Sequence, residues 1–368
     1  MKRLEELIGA LAPGGIPRLT LGEIATFKRG TAITKKDTTE GPVPVIAGGR
    51  APAYFHAEAN RSGETITVAG SGVYAGYVGY WSEPVFVSDA FSVHPDPELF
   101  EPKFVYYFLS LKQDEIHKTK TGGGVPHVHG RNLAPLEIPV PPIAVQREII
   151  GILDLFNELE AVLEAELDAR RRQFVHYRDM LLAGGADRQW TTVESIATNL
   201  DWRRRPVAKS ARTPGEIPYY GASGVVDYVS DYIFEGDYLL VSEDGANLLT
   251  RSSPIAFSVS GRAWINNHAH VLEFGTYAER RFVEIYLNSI DLAAYVTGGA
   301  QPKLNQANLN KIPIPAVPLS KQERIVSALD RFDALVNDLS VGLPAELNAR
   351  RRQYEHYRDR LLTFPEAV

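Results

Sequence analysis

Cationic and amide side chains gather in a few short, turn-rich stretches of this 368-residue chain. Lys28, Arg29, Lys35 and Lys36 form the first group, and Lys118, Lys120, His127, His129 and Arg131 the second. Arg203, Arg204 and Arg205 follow, then Asn247, the Asn266-Asn267-His268 run, and finally Gln301, Lys303, Asn305 and Gln306. Arg and Lys suit phosphate oxygens and the O6/N7 edge of guanine, while Asn and Gln suit adenine, so these are residue types for nucleic-acid contact. Loops are polar in any protein, and for one residue alone a solvated surface is explanation enough. The weight falls on TGGGVPHVHGRN (121–132) and TGGAQPKLNQAN (297–308), which share glycines, a proline and an asparagine but differ in between. Gly122, Gly123, Gly124 and Pro126, with Gly298, Gly299 and Pro302, are expected to shape a common loop that presents different readers.

Covalent chemistry finds no comparable pattern. The chain has no cysteine, which excludes disulfides, thiolate metal sites and a cysteine nucleophile, and suits a reducing, cytoplasmic location. No GxxxxGK[ST] loop is present, and the only Pro-Pro, Pro141-Pro142, lacks the flanking residues of an amino-methyltransferase motif. Asp96, Glu101 and Lys103 mimic a nuclease pattern, but three prolines in PDPELFEPK (95–103) disfavour the strand it needs. His117, His127 and His129, and His268 with His270, lack the carboxylate company of a metal site, so neither a catalytic nor a metal site is expected. Net charge is −6, from 39 Lys+Arg against 45 Asp+Glu, which argues against non-specific coating of nucleic acid. Glu5 and Glu6 occupy the place of a signal peptide's apolar run, and no apolar stretch reaches the length of a membrane span.

The elements that must position these loops are duplicated. Residues 121–157 match 297–333 without a gap in 14 of 37 positions, and ELDARRRQFVHYRDMLL (166–182) matches ELNARRRQYEHYRDRLL (346–362) in 13 of 17. LGEIAT at Leu21 and VESIAT at Val193 extend the repeat weakly. Each copy is a variable domain of about 120 residues followed by a helical segment, which gives boundaries of 1–137, 138–185, 186–312 and 313–368.

Apolar residues recur at heptad spacing through the first helical segment, with Phe156, Leu163, Leu167, Phe174, Tyr177 and Leu181 on the seam and polar interruptions at Glu160 and Arg170. Prolines 139, 141 and 142 fix its start, and the tract from Val145 to Leu182 would span ~57 Å at ~1.5 Å per residue. The second seam runs through Phe332, Leu339, Leu347, Tyr354, Tyr357 and Leu361, with a break expected at Gly342 and Pro344. Either seam alone could be an ordinary core helix. Two in one chain are buried most simply against each other, as an antiparallel pair with pseudo-two-fold symmetry and a variable domain at either end. In the variable domains, 64–81 and 236–250 read as short strands with glycine turns, and 104–112 and 281–290 as one helix each.

Taken together, the repeated IPxP…Q…I…LD.F segments, the ARRRQ…HYRD.LL signatures at Ala169–Leu182 and Ala349–Leu362, and the alternating domain order resemble the specificity (S) subunits of type I restriction–modification systems. The resemblance implies an α+β chain in which two β-rich target recognition domains are separated by two long helices forming an antiparallel coiled coil. It also implies a non-catalytic subunit that reads a bipartite site in double-stranded DNA, one half per domain. The helices would set the spacer and dock two methyltransferase (M) subunits, with restriction (R) subunits in the larger complex. S-adenosylmethionine, Mg²⁺ and ATP would belong to those partners, and this chain would hold no cofactor. Two other readings stay open at this point: a bivalent protein-interaction scaffold without nucleic acid, and an enzyme with an unrecognised site in Glu64–Trp81.

Overall fold

The computed structural model describes residues 2–122, 124–183, 189–299 and 301–364. Gly123 and the expected boundary at 185/186 lie outside them. The chain divides into two compact units, Met1–Glu164 together with Glu346–Val368, and Ala165–Ala345.

Each unit contains one β-rich head, and each head is closed where the chain enters and leaves it. Arg18–Thr20 pairs antiparallel with Glu137–Pro139 in the first head, and Trp190–Thr192 with Pro313–Pro315 in the second. The sheet order is the same in both. The first head runs Ala25–Arg29, Ala90–Pro95, Thr65–Ala69, Val78–Trp81; the second runs Thr198–Asn199, Ala269–Glu273, Phe234–Ser242, Ala256–Ile265. A parallel step then follows in each, with Val45 opposite Phe86 in the first and Tyr219 opposite Trp264 in the second. Strand Ala256–Ile265 runs unbroken into that step. In the first head Pro84, which has no N–H for a ladder, falls between Val78–Trp81 and Phe86–Val87, so Val43–Ile46 and Tyr54–His56 join a separate three-stranded sheet.

Helix Pro102–Leu111 buries Phe104, Tyr107 and Phe108 with the wholly buried strand Thr65–Ala69, and Tyr277–Ser289 plays the same part in the second head through Phe282, Val283 and Leu287. The strand expectation over 236–250 holds only as far as Ser242. Asn247–Thr250 is instead a single helical turn, closed by Arg251 at φ +52°.

The long helix spans Ile143–Ala183 and begins directly after Pro142. Its counterpart is interrupted, as Leu319–Asn337 and Gly342–Leu362. Asp338 Oδ1 accepts bonds from Ser340 N and Oγ, and Gly342 follows at φ +76°, where a Cβ would come within 2.6 Å of the Leu335 carbonyl oxygen. Leu339 sits in this connection, 74% exposed, and is not a seam residue as expected: the heptad count ran on across a stretch that is not helical.

The helices pack on the heads as well as on each other. In the first unit Val145, Ile149 and Leu153 enter the head's own core with Leu21, Phe104, Leu361 and Leu362. Further along, Phe156 stacks on Tyr357 with ring centroids 5.5 Å apart and meets Tyr354 edge-on at 6.3 Å. Arg351 Nε donates to Glu160 Oε1 at 2.6 Å and a second guanidinium nitrogen reaches Glu164, so these two helices run antiparallel and the Glu160 interruption is an ion pair between them. In the second unit Phe174 and Leu181 pack with Leu182, Ile325, Val326 and Leu329, and Phe174 lies edge-on to Phe332 at 5.6 Å. Full burial of each Ile or Leu contributes ~1.5–3 kcal/mol, against ~0–1 kcal/mol for an exposed ion pair, so docking on the head outweighs the charged contacts.

Residues identical between the copies make these joints. Asp154 accepts from Lys103 Nζ at 2.8 Å and from Tyr107, while Asp330 accepts from Tyr277 at 2.7 Å and Arg281 Nε at 2.7 Å. Gln146 donates to the Pro141 carbonyl at 2.8 Å, and Gln322 to the Val317 carbonyl at 2.7 Å.

Candidate nucleic-acid interface

The two glycine-rich loops fold alike. Thr121 and His127 bond reciprocally through their backbones, as do Thr297 and Lys303. Gly122 has φ +107° and Gly298 φ +85°, and a Cβ there would come within 2.6 Å of the Val125 carbonyl oxygen or 2.5 Å of the Gln301 carbonyl oxygen. These two positions require glycine. Gly124 and Gly299 have open space around them. The Pro126 carbonyl accepts from Gly72 N at 3.0 Å, and the Pro302 carbonyl from Gly245 N at 3.1 Å. Asn132 Oδ1 caps the following turn at His129 N, whereas Asn305 Oδ1 caps it at Asn308 N in the second head.

In and beyond that common loop, the expected contact residues of the first head divide between exposed side chains and ones engaged in the fold. Lys28, Arg29, Lys35, Lys36 and Arg131 are exposed in the first head. His127 and His129 stack with ring centroids 6.2 Å apart. Lys120 Nζ donates to the Val73 carbonyl at 3.2 Å, and Lys118 lines a separate groove with Arg18, Asp114 and Asp359. A cavity of about 710 Å³ opens beside Phe27 and Phe91, walled by Gly70 and Asp89 and rimmed by Arg29, His127, His129 and Arg131.

The corresponding place in the second head is filled by charge. Register sets Asp201 where the first head has Arg29, His270 where it has Phe91, and Glu243 where it has Gly70. Arg204 donates to Glu243 Oε2 at 2.6 Å and to the Ala269 carbonyl at 2.9 Å, and lies 3.3 Å from Asp201. Lys303 Nζ is 3.1 Å from Glu243 Oε1. Burial pushes the Glu243 and Asp201 carboxyls up, but bonds from Arg204 and Lys303 to the first, and from His270 and Val271 N to the second, leave both below their usual range. Asp201, Glu243 and His270 bring ligand atoms within 4.8 Å of one another. Yet His270 Nδ1 faces Asp201 at 2.6 Å and Nε2 faces the Leu304 carbonyl at 2.7 Å, while the carboxylates face two fixed cations. The cluster is a network of ion pairs and hydrogen bonds that braces the loop.

Four other expected readers of this head are engaged in the fold. Arg203 covers the Phe234 ring at 4.6 Å and donates to the Ile233 carbonyl. Arg204 is inside the network. Asn247 bonds to Ser252 and Ser253 through its amide, and Asn305 is the cap already described. Arg205, Gln301 and Gln306 are exposed. Sequence reasoning passed over Trp202, 80% exposed beside Arg205, and Arg50, which covers the Tyr74 ring at 4.9 Å. It also passed over Arg61, which donates to the Arg29 carbonyl at 2.8 Å and Ser92 Oγ at 2.7 Å; only long-range pairing reveals that role.

Among the described residues no helix is long and apolar enough to cross a membrane. Residues 16–169 and 192–349 each match the family model for the type I restriction modification DNA specificity domain. The chain is 30% identical over 298 residues to the type I restriction enzyme EcoR124I/EcoR124II specificity subunit of Escherichia coli, covering 72% of this chain and 71% of that one. A putative type I restriction enzyme specificity subunit of Haemophilus influenzae is 39% identical over 189 residues, 50% of this chain and about half (49%) of that relative's length. The solved S subunit of a type I restriction–modification system from M. genitalium has the same fold, with TM-score 0.64 at 19% identity over 96% of this chain and 97% of that one. Two matches to one domain, falling on the two copies of the repeat, place the chain in the type I restriction–modification DNA specificity family, a non-catalytic subunit whose role is sequence-specific DNA recognition.

Proposed function

We propose that each head reads one half of a bipartite target in double-stranded DNA, and that the paired helices set the spacer and dock two methyltransferase subunits. Restriction subunits join the larger complex, and S-adenosylmethionine, Mg²⁺ and ATP serve those partners. One observation carries this reading: the heads share a sheet order and a glycine-loop backbone yet set different side chains at matched places. Conserving the support while varying its tip is what two independent readers of different half-sites need. The contact surface then comprises Lys28, Arg29, Lys35, Lys36, His127, His129 and Arg131 in the first head, and Arg205, Gln301 and Gln306 in the second. Replacing residues 16–135 with the equivalent domain of another family member tests it. One half of the modified sequence should change and the other should stay; a change in both halves would overturn independent reading.

A further inference from the structure

We propose that Asp89 is the residue through which the first head reads an exocyclic amino group, N4 of cytosine or N6 of adenine. The inference rests on the DNA-reading function above and names the chemistry of one head. Asp89 is an exposed carboxylate on the wall of the cavity whose rim carries Arg29, His127 and Arg131. On a surface that meets phosphates an acid repels its ligand. It is favourable where a base edge offers it an N–H, and the amino groups of cytosine and adenine do so in the major groove.

The surroundings hold the group and keep it open. Ser71 Oγ donates to Asp89 Oδ2, and Gly70 N donates to the Asp89 carbonyl at 3.1 Å. A glycine flanks each oxygen: a Cβ at Gly48 would lie 3.5 Å from Oδ2, and one at Gly70 3.5 Å from Oδ1. Larger side chains at these positions would crowd the approach to the carboxylate.

The second head supports the assignment by contrast. Glu243 N donates to the His268 carbonyl at 2.9 Å as Gly70 N does to Asp89, so His268 takes the place of Asp89. Its Nδ1 lies 2.7 Å from Asp244 Oδ2, and Asp244 takes the place of Ser71. The same hydrogen-bonded pair position therefore carries a carboxylate tip in one head and an imidazole tip in the other. Different bases are read there.

The test selects sequences from a random duplex library with the full chain, comparing wild type, Asp89→Ala and the near-isosteric Asp89→Asn at fixed salt. We expect one C- or A-bearing position in one half-site to lose its preference by about tenfold or more in Asp89→Ala, with the other half-site unchanged. Purine in place of adenine, or 2-pyrimidinone in place of cytosine, removes the amino group at that position and tells the two bases apart. The analogue should weaken wild type by a similar factor and leave Asp89→Ala indifferent. An unchanged consensus in both Asp89 variants, or an equal analogue penalty in wild type and Asp89→Ala, overturns the assignment while DNA reading stands. If wild type enriches no sequence, DNA reading itself fails and the assignment with it.

Discussion

Lys303 Nζ lies 3.1 Å from Glu243 Oε1, and the residues at the same two places in the first head are His127 and Gly70. One head thus braces its glycine-rich loop with an ion pair where the other leaves a cavity. Glu243 also receives Arg204 at 2.6 Å. Glu243→Gln removes the carboxylate from two cations at once and should cost about 3 kcal/mol, read as a lower urea midpoint. Lys303→Gln, at the exposed end, should cost under about 1 kcal/mol.

The same network makes the second head acid-sensitive. Asp201 and Glu243 have carboxyls held below their ordinary values of 3.8 and 4.5. Groups with depressed folded values contribute stability that is complete above the unfolded values and drains as pH falls through the folded ones. The stability of the second head should therefore start to fall below about pH 4.5 and fall further on continued acidification. Three of the four tryptophans, Trp190, Trp202 and Trp264, belong to this head, so intrinsic fluorescence follows it. A signal flat to pH 2.5 would count against the network.

Charge-neutralising variants separate readers from braces. Arg131→Ala should weaken DNA binding across sequences and lower the slope of log affinity against log salt by about 1. Arg204→Ala should instead lower the denaturation midpoint, with no comparable effect in the first head. Titrations at three salt concentrations, paired with denaturation curves, distinguish the two.

Backbone geometry predicts a split among the loop glycines. Gly122→Ala and Gly298→Ala place a Cβ at positive φ against a carbonyl oxygen and should each cost about 1–3 kcal/mol of local stability or a matching loss of DNA affinity. Gly124→Ala and Gly299→Ala meet open space and should be neutral.

On the helices, Phe156→Ala loses the Tyr357 stack and the Tyr354 edge contact and should cost about 2 kcal/mol, below a fully buried aromatic because Phe156 is only half-buried. Leu339→Ala should stay within about 0.5 kcal/mol. Thermal melts of the two variants check the contrast.

What could be read in the sequence follows the range of the interactions. The start of the long helix after Pro142 and the break before Gly342 are set by residues next to the boundary, and both were legible. The order of strands in each head is fixed by pairings over tens of residues, such as Phe27 opposite Val93, which no local pattern carries. Composition marked Arg203, Arg204 and Arg205 alike. Only folding decides that Arg203 covers Phe234, that Arg204 meets a carboxylate 39 positions away, and that Arg205 is left exposed. Leu339 failed for a related reason: a heptad count has no means of registering that Asp338 and Ser340 close a turn.

Leu361, Leu362 and Phe364 share a core with Leu4, Leu21 and Phe104, and Arg18 donates to the Phe364 carbonyl at 3.2 Å. On the ribosome, the N-terminal head is therefore translated first but sealed last, after the final helix has emerged. A nascent chain cut short near residue 345 would retain every segment of its second unit and leave the older head unsealed, the reverse of the usual N-terminal-first order.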